Sequence, residues 1–149
     1  MRQWLEAITD RSQSDITEKT PKAYLNAVDV NRIANNIAYL SDTLRRMGYI
    51  TNANPSSNWS RSSNMTDADL RNLCNFIHGI TLAFYTPAGF TSLTNLPTKQ
   101  LDYTDVNSIE RNLLRIYQMI EQGMTHNSMR SLTHLQLRAR THAQIRTGV

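Results

Sequence analysis

The chain has 149 residues, 40% of them hydrophobic and 19% charged, with one Cys, five Gly and a formal charge of +4. That length holds one sizeable core. The lone Cys excludes an internal disulfide framework and CxxC motifs, and no run of 18 apolar residues offers a transmembrane helix. The N-terminal MRQWLEAITDRSQ lacks the apolar h-region of a signal peptide, and neither GxGxxG nor GxxxxGK[ST] occurs. The charge is uneven. Residues 1–127 carry twelve Lys+Arg and twelve Asp+Glu, whereas residues 128–149 carry Arg130, Arg138, Arg140 and Arg146 and no acid.

Residues 1–24 read as an N-terminal arm. TDRSQSDITEKTP is polar and predicts an extended or irregular path. Trp4 is costly to leave in water, so the arm is either a frayed terminus or an element that docks on a neighbouring subunit.

Residues 25–127 read as a helical domain built from three related segments. LNAVDVNRIANNIAYLSDTL (25–44) and LDYTDVNSIERNLLRIYQMI (101–120) share Leu25/Leu101, Asp29/Asp105, Val30/Val106, Asn31/Asn107, Ile33/Ile109 and Asn36/Asn112. A weaker copy between them starts MTDADLRNL. Val30, Ile33, Ile37, Leu40 and Leu44 step by three and four, as do Leu70, Leu73, Ile77, Ile80 and Phe84, and Val106, Ile109, Leu113, Ile116 and Ile120. Each set draws one stripe down an α-helix. Asn26 with Asp29, Thr66 with Asp69, and Asp102 with Asp105 have the spacing of an N-cap and an acidic N3 residue. Gly48, Pro87 with Gly89, and Gly123 supply stops. The expectation is an all-α three-helix bundle with helices at about 26–47, 66–85 and 102–122. Its long linkers, 48–65 and 86–101, are anchored by Trp59, Tyr85 and Phe90. Helix polarity stays open, because either linker can recross the length of a helix.

Residues 128–149 read as a basic interaction tail. THLQLRAR (133–140) is followed by THAQIRTG (141–148). Leu135, Leu137 and Ile145 alternate with polar residues, which permits a strand that needs a partner; the composition also permits helix.

Candidate chemistry is sparse. Cys74 and His78 have an i, i+4 spacing that can hold a metal, yet two ligands are insufficient and Cys74 adjoins the apolar stripe. His134 and His142 also lack further ligands. Asp29, Asp69 and Asp105 recur at helix starts, which capping explains. Asn31, Asn35, Asn36, Asn107 and Asn112 are unusual inside helices; they either hydrogen-bond to neighbouring helices or linker backbone or line a solvated face. No catalytic residue, metal or cofactor is expected.

TDRSQSDI, then AYLNAVDVNRIANNIAYLSDTL, then a Trp-led linker with TDADLRNLCNFI, then LP before LDYTDVNSIERNLLRIYQMI, in that order, resembles a domain of minor structural proteins of tailed phages and prophages of Gram-positive bacteria. The pattern there looks like "DRT…DV…YLNA.DLNRIE.NI.YL", followed by "W…D.PT…R…NI", "LP" and "AN.IE..L". The resemblance covers about residues 9–120 and is most specific over 24–40; Ala34 stands where the pattern has Glu. It implies a non-catalytic structural protein of the virion, in the tail or baseplate, made in the host bacterial cytoplasm. Its expected partners are other copies of itself and other virion proteins, with no membrane. The expected contact residues are Trp4 in the arm and Leu135, Leu137, Arg138, Arg140, Ile145 and Arg146 in the tail. The alternative is a small nucleic-acid-binding protein that uses the basic tail.

Overall fold

The computed structural model describes residues 1–94 and 101–123, and every regular element among them is an α-helix. They are α1 (Gln13–Glu18), α2 (Ala27–Arg46), α3 (Asp67–Ala83) and α4 (103–123). Residues 1–117 form one compact unit; of the unit beginning at Gln118, the described part is the end of α4, where Ile120 is buried.

The short α1 departs from the extended or irregular path expected of the arm. Its cause is local: the Ser12 hydroxyl accepts from the Asp15 N–H, and the Asp15 carboxylate accepts from the Ser12 N–H at 2.8 Å. This is a capping box, which satisfies two N–H groups that a helix start leaves unpaired. Composition reads SQSD as polar coil, and the box is visible only in the spacing of Ser12 and Asp15.

The three longer helices start in the same way. The Asn26 side chain accepts from the Val28 and Asp29 N–H groups at 2.9 and 3.1 Å, and Asp29 accepts from the Asn26 N–H at 3.2 Å. Thr66 and Asp69 repeat the exchange at 3.2 and 2.8 Å. Asp102 accepts from the Thr104 and Asp105 N–H groups, and Asp105 accepts from the Asp102 N–H at 3.0 Å. Past the end of α2, Gly48 adopts a φ of +95° and lets the Tyr49 N–H turn back to the Leu44 carbonyl at 3.0 Å.

Fourteen of the fifteen stripe positions are buried, eight of them at 1% exposure or less. Burial of such side chains contributes about 1.5–3 kcal/mol each relative to leaving them in water, and no single helix could bury its own stripe. The exception is Phe84, half-buried at the rim, where its ring meets Tyr49 at 5.1 Å and Tyr85 at 5.0 Å.

Helix polarity follows from who bonds to whom. Along the arm, Gln3 and Leu5 bond to Asn35 and Asn36 of α2, and Arg11 bonds to Asp29 at its start. On α4 the same walk runs from Tyr117 back to Asn107. The arm is therefore antiparallel to both helices, and α2 and α4 are parallel. Tyr49 and Phe84, each just past a helix end, meet edge to face, so α3 runs the same way. Parallel neighbours need long returns, and the linkers supply them. Residues 51–59 pass down α2 from Ser41 to Asn31, and residues 89–91 pass down α4 from Arg115 to Asn112. The fold is three repeats of a descending extended segment and an ascending helix. This arrangement gathers three positive helix ends on one side, where Asp29, Asp69 and Asp105 offset them.

Candidate functional site

The densest polar structure lies where the arm crosses between α2 and α4. Two arginines and two acids meet there: Arg11, Asp29, Arg32 and Glu110, with side chains 1%, 5%, 11% and 1% exposed. One Arg11 terminal nitrogen donates to Asp29 at 3.1 Å and to Glu110 at 2.9 Å. Arg32 grips Glu110 with two nitrogens, the Nε bond being 2.9 Å, and also donates to Asp29 at 2.6 Å. The Glu110 oxygen that takes the Arg32 Nε bond also accepts from the Ile8 N–H at 2.9 Å. Asp29 serves two ends: one oxygen caps α2 and the other accepts from both arginines. Burial works to lower the Arg32 pKa, but hydrogen bonds and charge from Glu110 and Asp29 outweigh it and hold the group above its ordinary value.

The cluster is neutral as a unit, and its acids are saturated with donors. Among the described residues the Arg11 Nε–H is the one buried side-chain polar group without a hydrogen-bond partner; the other bonds suit a latch that fixes a crossing chain. Buried ion pairs contribute little net stability against apolar packing, but removing one member leaves a charge uncompensated.

Around the latch, helix asparagines hold extended backbone. The Asn36 side chain accepts from the Leu5 N–H at 2.9 Å and donates to the Leu5 carbonyl at 2.8 Å. Asn107 does the same to Arg11 at 3.1 and 2.9 Å, Asn31 to Trp59 at 2.9 and 2.9 Å, and Asn112 to Thr91 at 2.9 and 2.8 Å. A carboxamide presents one acceptor and one donor edge, the complement of an extended residue's N–H and C=O. The four residues are the repeat-related pairs Asn31/Asn107 and Asn36/Asn112. One member of each pair grips the arm and the other grips a return segment. Asn31 and Asn112 hold linker backbone, one of the expected partners, whereas Asn36 and Asn107 hold the arm, which was not expected; three of the four are buried. Arg111 adds a bond to the Thr9 carbonyl at 3.1 Å, and Arg115 donates to the carbonyl of Gly89, whose φ is +75°.

The remaining sequence candidates fall as follows. Trp4 packs within its own chain, its ring stacked on Tyr117 at 4.3 Å and edge-on to Tyr39 at 6.1 Å, so the arm is not frayed. Asn26, Asp29, Thr66, Asp69, Asp102 and Asp105 make the capping bonds described above. Cys74 is buried, and burial pushes its thiol up to about 11, away from nucleophilic use. His78 is exposed, and no group of three or more His, Cys, Asp or Glu among the described residues could hold a metal ion. No helix among the described residues is long and apolar enough to cross a membrane. Leu135, Leu137, Arg138, Arg140, Ile145 and Arg146 lie outside the described residues. Sequence reasoning missed Arg11, Arg32 and Glu110. The signal for Glu110 was its place beside Ile109 and Leu113 on the inward side of α4; for Arg11 and Arg32 it was their place at lettered positions of the pattern quoted above.

No protein-family model matches the chain, and searches of curated proteins and of solved structures returned no match.

Proposed function

We propose that this is a non-catalytic structural protein of a phage virion, built into the tail or baseplate region and assembling with copies of itself and with other virion proteins. The observation that carries the reading is which residues the phage-domain resemblance rests on. Arg11, Asp29, Asn31, Arg32, Asn36, Tyr39, Asn107 and Glu110 all fall at lettered positions of that pattern, and all belong to the latch, the backbone clamps or the Trp4 stack. The motif is thus spent on holding an arm and a return segment, as expected of a scaffold module. Because Trp4 is used within the chain, the assembly contacts fall to residues 128–149, where all the surplus charge resides.

Light scattering on a size-exclusion column tests this, comparing the full chain with residues 1–127 at low and high salt. A discrete oligomer that becomes a monomer on truncation is expected. A full-length monomer in every condition refutes assembly through the tail. If the monomer binds duplex DNA with an affinity that falls steeply with salt, and Arg138, Arg140 and Arg146 to Ala abolishes it, the nucleic-acid reading replaces this one.

A further inference from the structure

The repeat predicts a third pair of clamps on α3, and α3 does not have them. Superposing the helix starts Asn26, Thr66 and Asp102 puts Arg71 where α2 and α4 have Asn31 and Asn107. It puts Phe76 where they have Asn36 and Asn112. Among the described residues the return segment 86–94 is accordingly bonded to α4 and not to α3, through Asn112 and Arg115. On its α3 side the seam is open, a cleft of about 640 Å³. Ligand clefts typically measure roughly 300–1,000 Å³.

One wall is a stripe of α3 at i, i+4, i+7 and i+11: Arg71, Asn75, His78 and Leu82, all exposed. The opposite wall includes Phe90, Ser92 and Thr94 of the return segment. Eleven residues of helix rise about 16 Å, the length of roughly five residues of extended chain. Leu82 is 73% exposed, and the buried Cys74 and Leu93 form the floor. Among the described residues the lining contains one arginine, one histidine and no carboxylate. Among the described residues Arg71 has no ion-pair or hydrogen-bond partner, in contrast to Arg11 and Arg32. The equivalent seams show what such a groove accepts: an extended chain running antiparallel to the helix, held by carboxamides and, at the latch, by carboxylate–arginine pairs.

We infer that the cleft between α3 and residues 86–94 binds an extended peptide of a partner protein, with apolar side chains over Leu82 and Phe90 and a carboxylate on Arg71. Asn75, related by the repeat to Asn35, is placed to bond the peptide backbone as Asn35 bonds the Gln3 carbonyl. The inference does not depend on the virion reading. The chain's own tail is the wrong electrostatic partner, because residues 128–149 carry four arginines and no acid.

The test is selection of a random twelve-residue displayed peptide library on the full-length protein. Fluorescence anisotropy of the enriched peptides then follows, against wild type and Arg71→Glu. Arg71 lies on the exposed face of α3, so the variant should keep the wild-type circular dichroism. Enriched peptides should carry Asp or Glu among apolar residues and bind Arg71→Glu at least fivefold more weakly. Exchanging the peptide acid for Lys should restore binding to the variant. No enrichment overturns the inference, as does a loss on Arg71→Glu of less than fivefold. A synthetic peptide of residues 128–149 that binds wild type as tightly as the best selected peptide also overturns it, by naming a second copy's tail as occupant.

Discussion

Replacing Glu110 with Gln removes one charge from a buried cluster of four. Wild type holds two arginines against Asp29 and Glu110; the variant leaves Arg11 and Arg32 sharing Asp29 alone, with Arg11 1% exposed. The new carboxamide N–H₂ also faces donors, so either an arginine nitrogen or the Ile8 N–H, now 2.9 Å from a Glu110 oxygen, loses its acceptor. Breaking a buried pair on one side costs about 3–5 kcal/mol, a large part of the roughly 5–15 kcal/mol available to a domain. With a urea m-value of about 1.5 kcal/mol per molar, the unfolding midpoint should fall by roughly 2–3 M. Urea titration followed by circular dichroism measures it. The decisive comparison is the cycle with Arg11→Met. Alone, that substitution leaves Glu110 with Arg32 as its one charged partner; combined with Glu110→Gln, it leaves the neutral pair Arg32–Asp29. The double variant should therefore be more stable than the sum of the single losses predicts, by about 1–3 kcal/mol. Additivity within about 0.5 kcal/mol would show that the four groups do not act as one neutral unit.

The clamps predict local release. Asn36→Ala removes both bonds to Leu5 and should cost about 1–3 kcal/mol. It should also raise amide exchange at Leu5 and shift Trp4 fluorescence to the red, whereas Asn31→Ala should free Trp59 and leave Leu5 protected; the same pattern in both variants would refute independent clamping. Acid should weaken α3 at its start. The Thr66 side chain and backbone N–H hold the Asp69 carboxyl below its ordinary 3.8, so the stabilisation is present above about pH 4 and is lost as pH falls through the lowered value. Thermal melts of wild type should drop faster than those of Asp69→Asn between about pH 4 and 2; parallel curves would exclude the coupling.

The candidate site was legible in parts. The asparagines stood out because their side chains favour caps and turns over helix interiors, and their spacing already paired Asn31 with Asn107 and Asn36 with Asn112. What they bond to was not legible, since Asn36 reaches back 31 residues and Asn107 reaches 96. Trp4 was recognisable as a side chain in need of burial, but Tyr117, on which it stacks, lies at the far end of the described chain. Arg11 stood at a lettered position of the quoted pattern, but its burial was not legible, because it depends wholly on partners brought together by folding.

By itself the sequence determined the helices. Stripe, cap and stop are written within a few residues of one another, and each acts over a single turn of chain, so α2, α3 and α4 stand within two residues of the expected bounds. The tertiary structure alone decided that the helices run parallel, that residues 51–59 and 89–91 descend beside them, and that Arg11, Asp29, Arg32 and Glu110 close one neutral latch. An apolar stripe packs equally well in either direction, and a charge acquires a partner only where the fold places one.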